Sequence, residues 1–208
     1  MGESSDARRV VFLRGHKVIL RPLDKARDAD VCQRWINDPD VNQFLLAHRP
    51  ITPTGEAEWF DQVEKSDEVH LAIEADDGVF IGLMGIHEIS WKDRRATTGA
   101  LIGEKAYWGQ GYGTDAKMTL LDYAFNTLNL RKICSSVLEF NERSLEYNLH
   151  CGYRIEGRRR EQFFRNGRYW DEILLGLFRE DWEPVWARYR ETGSVYEETS
   201  EASEASSA

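Results

Sequence analysis

Three glycines at alternate positions, Gly109, Gly111 and Gly113, stand between an apolar run ending at Leu101-Ile102-Gly103 and a helical period that begins near Thr114. Backbone without side chains at a strand-to-helix junction reaches left-handed conformations, lets peptide N–H groups converge, and sets them at the electropositive end of a helix. The segment Trp108-Gly109-Gln110-Gly111-Tyr112-Gly113-Thr114 therefore predicts a phosphate-bearing ligand. A dinucleotide loop needs Gly-x-Gly-x-x-Gly early in a βαβ unit, with an acid about 20 residues later. Here Gly109-x-Gly111-x-x-Thr114 lies mid-chain behind an antiparallel pattern, and no Gly-Lys-Ser/Thr of a Walker loop follows.

The chain around this junction reads as one α/β domain. Residues 10–13 and 18–20 form the first strand region, closed by Pro22. A helical period covers 28–36, and Thr52-Pro53 starts another helix, with a hydroxyl cap and proline at the first position. Apolar runs 69–74 and 79–89 flank Asp76-Asp77-Gly78, a hairpin signal, and 97–102 adds a third antiparallel strand. Met118, Leu121, Phe125 and Leu128 predict a helix over 114–128, with a strand over 133–138 after it. A short helix over 141–151 is capped by Asn141 and stopped by Gly152; residues 153–164 and 169–178 then pair across Asn166-Gly167. Trp182, Trp186 and Tyr189 predict a closing helical turn. Residues 1–8 and 191–208 are polar and small, and are expected to be disordered tails on a folded unit of 9–190.

Composition excludes several functions. Hydrophobic residues make up 41% and no apolar run approaches the roughly 18 residues that cross a bilayer, so a membrane partner is excluded. Without a signal-like h-region the expected address is cytoplasmic. The net charge is −9, but residues 191–208 hold five acids and no base, which leaves −4 on residues 1–190. A mildly acidic body lacks the basic face of a nucleic-acid binder, and Arg158-Arg159-Arg160 reads as a solvated strand face. Cys32, Cys134 and Cys151 match neither a disulfide framework nor a zinc site, and His87, His150 and Cys151 have no common ligand spacing, so no metal is expected.

Four blocks in order carry a resemblance: Trp35-Ile36-Asn37-Asp38-Pro39, Tyr107 with the glycine segment to Thr114, Asn141-Glu142-Arg143-Ser144, and Cys151-Gly152-Tyr153-x-x-Glu156-Gly157. Over residues 9–182 the chain resembles the GNAT superfamily of acetyl-CoA-dependent N-acetyltransferases, in the branch of ribosomal-protein N-terminal and spermidine acetyltransferases. The resemblance implies a mixed, largely antiparallel central sheet with helices on both faces, and acetyl-CoA as co-substrate. It implies that Trp108, Gly109, Gln110, Gly111, Tyr112, Gly113 and Thr114 cradle the CoA pyrophosphate. Leu101, Ile102 and Gly103 would pair with the pantetheine amides as an added strand does, and one N–H there would polarise the thioester carbonyl, a donor worth about 3 kcal/mol. Asn141 and Ser144 would face the pantetheine and thiol. Exposed strand edges of this fold make a second copy, as a homodimer, a partner to consider.

Two departures from the family matter. Trp108 replaces the usual Arg or Gln of the pyrophosphate loop, and Asn148 stands where many relatives have a tyrosine that protonates the leaving thiolate. Ser144 is the first choice for that role and Tyr147 the second. The acceptor is a primary amine of a protein N-terminus, a polyamine or an amino sugar, and an alkyl amine, about one part in a few thousand neutral at pH 7, needs a base. Glu88 faces the cleft if His87 faces away, because strand neighbours alternate, so Glu88 is the expected base and Glu161 the runner-up. Residues 28–36, 37–50, the helix after Thr52 and the hairpin at Asn166-Gly167 are expected on the acceptor side. The missing tyrosine keeps a second reading open, a non-catalytic CoA-binding or regulatory module.

Overall fold

The apolar periods become strands and helices close to where the sequence puts them in a computed structural model, which describes residues 10–196. The tail expected at 1–8, and residues 197–208 of the tail expected at 191–208, lie outside the described residues. β1 (Leu13–Arg14) and β2 (Val18–Pro22) precede α1 (Lys25–Asn37), a one-turn α2 (Pro39–Asn42) and α3 (Pro53–Val63). Asp24 caps α1 through Ala26 N, and the expected Thr52 cap of α3 accepts from Gly55 N at 3.1 Å. The meander follows as β3 (Val69–Ala75), β4 (Phe80–Ser90) and β5 (Arg95–Ile102). Next come α4 (Tyr112–Asp122), β6 (Lys132–Leu138), α5 (Glu142–His150), the hairpin β7 (Arg154–Arg165) and β8 (Arg168–Phe178), and α6 (Arg179–Thr192).

Three details differ from the sequence reading. The helix expected from Thr114 starts at Tyr112, and its end widens into a π turn over Tyr123–Thr127, with Leu128 N donating to Tyr123 O. The closing turn is a full helix, α6. Residues 191–196, expected to be tail, belong to the folded body: Gly193 ends α6 at φ +71° and turns Val195 back into the core.

All eight strands form one sheet, in the order β1-β2-β3-β4-β5-β6-β8-β7, and every neighbouring pair is antiparallel except β5–β6. The two parallel strands are linked across one face by α4, as a parallel pair requires. Helices cover both faces. Met118 and Leu121 of α4 and Phe125 of the π turn pack with Ile133, Leu177 and Trp182 in the larger core, while Cys32, Trp35, Val41 and Phe60 of α1 to α3 pack on Phe80, Leu83 and Leu101.

Two buried ionic anchors fix the helices against the sheet. Arg21 on β2 donates to both carboxylate oxygens of Asp28 on α1 and to Glu74 on β3, each at 2.8 Å. Asp115, in the first turn of α4, accepts from the backbone N–H groups of His16, Lys17 and Val18 at 2.7–2.9 Å and from the Tyr189 hydroxyl. That carboxylate ties the head of α4 to the β1–β2 turn, and so fixes where the glycine segment enters the helix.

Candidate active site

The site is made by a gap in the sheet. β5 and β6 are paired only from Arg95↔Lys132 to Thr97↔Cys134. Beyond Thr97, β5 continues its ladder with β4 alone and β6 with β8 alone, so residues 98–102 and 135–138 diverge and leave backbone groups of β5 open toward the gap. A cavity of about 500 Å³ occupies the divergence. Its walls come from β5, from Ser135, Ser136, Val137 and Leu138 of β6, from the glycine segment and from α5.

At one end of the cavity the glycines behave as their spacing predicts. Gly109 and Gly111 lie at φ +72° and +83°, and Gly111 is the left-handed residue that opens α4. A Cβ added at Gly109 meets nothing within 4 Å, so the turn is an open concavity backed by the unpaired N–H groups of a helix start. Gly109, Gly111, Tyr112, Gly113 and Thr114 line the cavity with Trp108, Leu101 and Ile102. Gln110 and Gly103 do not line it. Gln110 points its side chain back to Ala106 O, and Gly103 is packed against the Trp35 ring, which leaves no room for a Cβ. Trp108 donates from Nε1 to Ile102 O at 2.7 Å and carries the Arg143 guanidinium on its ring at 4.2 Å. Lys17 reaches the same turn from the β1–β2 connection, with Nζ 2.9 Å from Gln110 O; it was not legible in sequence because 93 residues separate the two.

α5 supplies the opposite wall. Asn141 caps the helix by accepting from Ser144 N at 3.2 Å, and Asn141, Ser144, Tyr147 and Asn148 all line the cavity. Asn148 donates from Nδ2 to Ser144 O, while its buried Oδ1 has no hydrogen-bond partner. Burial holds the Tyr147 hydroxyl well above its usual range, so it stays protonated. Beneath the gap lies Lys117 of α4, 1% exposed, donating from Nζ to Thr98 Oγ1 at 2.8 Å. Its sequence signal was a lone base whose i+3, i+4 and i+7 neighbours, Leu120, Leu121 and Ala124, are all core residues.

The β4 end departs from simple alternation. A bulge between His87 and Ser90 puts Glu88 at φ +52°, so His87, not Glu88, lines the cavity. The His87 ring lies across Gly85, where a Cβ would stand 2.5 Å from His87 Cε1. Glu68 Oε2 sits 3.2 Å from His87 Nδ1 and 3.2 Å from His70 Nε2, and Glu68 Oε1 accepts from Glu88 N. Glu88 is exposed, and its carboxylate accepts from Thr97 Oγ1 at 2.9 Å on the cavity side of β5. Glu161 sits in another strand irregularity at φ +50° and does not line the cavity. Of the acceptor-side elements, the 37–50 segment contributes Val41, Phe44, Leu45 and Leu46 and the β7–β8 hairpin contributes Phe163, whereas α1 and α3 contribute no lining residue. Arg158 and Arg159 are paired to Glu139, Asp171 and Glu172.

A split mixed sheet with a glycine turn feeding the split agrees with what the comparisons with known proteins find. Residues 17–154 match the family model of the acetyltransferase (GNAT) domain. The chain belongs to the GNAT acetyltransferase family. The spermidine N(1)-acetyltransferase of Escherichia coli is 29% identical over 181 residues, covering 80% of this chain and 89% of the relative. A probable N-acetyltransferase of Bacillus subtilis, YjcK, is 32% identical over 181 residues, covering 82% of this chain and 98% of its own. Among solved structures, spermidine N-acetyltransferase from Vibrio cholerae in complex with CoA and spermine superposes with a TM-score of 0.74 at 24% identity, over 80% of this chain and 98% of the other, a likeness of fold. As a GNAT N-acetyltransferase the chain uses acetyl-CoA as co-substrate. The open glycine turn and the free edge of β5 fit a diphosphate and an amide-bearing arm.

Proposed function

We propose that the acceptor is a small cationic primary amine, with an alkyl polyamine as the class, acetylated by direct attack in the gap between β5 and β6. The observation that carries this reading is the cavity itself, which runs past the gap from the glycine turn to His87 and Thr97 at the β4 bulge, where each of these lining residues is hydrogen-bonded to a carboxylate behind it, His87 to Glu68 and Thr97 to Glu88. Carboxylates at the acceptor end favour a cation. The spermidine acetyltransferases among the relatives support the same class. Peptide N-termini and amino sugars are the competing acceptors.

The donor's diphosphate lies on the N–H groups of 109–114, with Lys17 alongside, and its amides add to the open edge of β5. Asn141, Ser144 and Tyr147 face the thiol. On the acceptor side, His87 receives the ammonium proton: Glu68 holds Nδ1 and so leaves Nε2 as the acceptor toward the cavity. Glu88, fixed by Thr97, is the exposed carboxylate that passes the proton to water. The site works in the cytoplasm, where its three free cysteines stay reduced. A second copy would pair along the outer strand β7, where Ile155 and Phe164 are exposed.

Thiol release from acetyl-CoA across an amine panel is the test. Polyamines are expected to give the highest kcat/KM, and a peptide or amino sugar in first place would replace them as the acceptor. Tight CoA binding with no turnover for any amine would favour the non-catalytic module that Asn148 keeps open. In the same assay His87→Asn should cost about 10²-fold in kcat while CoA binding is kept, a general-base loss. A loss of that size in Glu88→Gln instead would make Glu88 the base in direct contact.

A further inference from the structure

A buried ammonium without an anion is costly, and a folded chain keeps one only where something answers its charge. Lys117 is in that position. Its Nζ is enclosed by the rings of Tyr147 and Tyr153, at 5.4 and 5.2 Å from their centroids, and donates to Thr98 Oγ1, which also bonds the Tyr153 hydroxyl at 2.9 Å. The titratable groups that face it are Tyr147 of α5, Cys151 beyond that helix and Tyr153 before β7; Asp115 on its own helix is turned away to the β1–β2 connection. Among the described residues no carboxylate pairs with it. Yet it borders the cavity, and Thr98 is the first residue of β5 past its pairing with β6, so Nζ sits under the mouth of the gap.

We propose that the Lys117 ammonium stabilises and protonates the thiolate of CoA as it departs. This rests on the acetyl-transfer reading of the cavity. The amine nitrogen forms its bond to the thioester carbonyl carbon, the C–S bond breaks with its electron pair on sulfur, and sulfur takes a proton from Nζ. The neutral lysine regains a proton from solvent, and the proton lost by the amine leaves at the β4 end. Acid strength separates Lys117, on α4, from its rivals on the α5 wall. Asn148 presents an oxygen that only accepts, and the Ser144 hydroxyl is a far weaker acid than an ammonium. Burial lowers Lys117 to about 8, so it is charged at neutral pH and close in acidity to a thiol, whereas burial raises the Tyr147 phenol well above 10.

The experiment is steady-state kinetics of Lys117→Met and Tyr147→Phe, with CoA binding and melting temperature measured on each. Lys117→Met is expected to lose about 10²-fold in kcat with KM for both substrates within about twofold, and to lose the fall in kcat that the wild type shows as pH rises through about 8. Tyr147→Phe is expected to keep that limb. A wild type that turns over while Lys117→Met keeps its rate and its limb overturns the proposal and leaves the transferase reading intact; a wild type that acetylates no amine defeats the reading itself. Intact mass after incubation with acetyl-CoA gives a second criterion. Lys117 should remain unmodified, and an acetyl group on it would make it a nucleophile and overturn its role as the acid.

Discussion

Replacing Lys117 by methionine should stabilise the fold while slowing the reaction. In the folded chain burial lowers this lysine from 10.5 to about 8, so its charged form is disfavoured relative to the unfolded chain. Below pH 8 the whole penalty is present. As pH rises from about 8 to 10.5 the unfolded state holds more protons than the folded one, and wild-type stability climbs. Urea unfolding should therefore show Lys117→Met more stable by about 2–3 kcal/mol at pH 7, with the advantage shrinking toward pH 10. A difference that does not change with pH would mean that the lysine is not held charged against burial. At this scale the sequence was readable where a residue acts through its own backbone, as at Gly109, Gly111 and Asn141. It was not readable where a bulge redirects a neighbour: nothing local marks φ +52° at Glu88, and that one dihedral gives the cavity wall to His87. Lys17 and Lys117 reach the site only through tertiary packing.

Among the elements, α4 carries both halves of the site, since its first turn faces the donor and its second holds Lys117. Asp115 fixes that helix by accepting three backbone N–H groups and a tyrosine hydroxyl. Asp115→Ala leaves those donors unanswered, Val18 N and the Tyr189 hydroxyl among them buried, at a cost of about 3 kcal/mol in denaturant unfolding, and should weaken CoA binding about tenfold because the glycine turn loses its support. Unchanged affinity would show that the turn is held by other contacts. The hairpins were legible because Asp77-Gly78 and Asn166-Gly167 supply the positive φ that tight turns need. The α6 boundary was not, because the polar run after Arg190 hides Val195, whose burial is decided by a core many residues away. That α1 and α3, expected on the acceptor side, contribute no cavity-lining residue has a related reason: their apolar faces are used against Phe80, Leu83 and Leu101.

For the molecule as a whole, strand order follows from a single parallel pair. Local pattern gave the strands and the helix between β5 and β6, but no residue signals that pairing stops after Thr97, since divergence results from the twist of two half-sheets and the helices packed on them. That divergence is the account's centre. Crystals soaked with acetyl-CoA test it most directly. Density for the diphosphate on Gly109 to Thr114, for the arm along the open edge of β5, and for sulfur between Lys117 and the α5 wall is the predicted result. A donor bound elsewhere on the chain, with the gap between β5 and β6 filled by solvent, would contradict it.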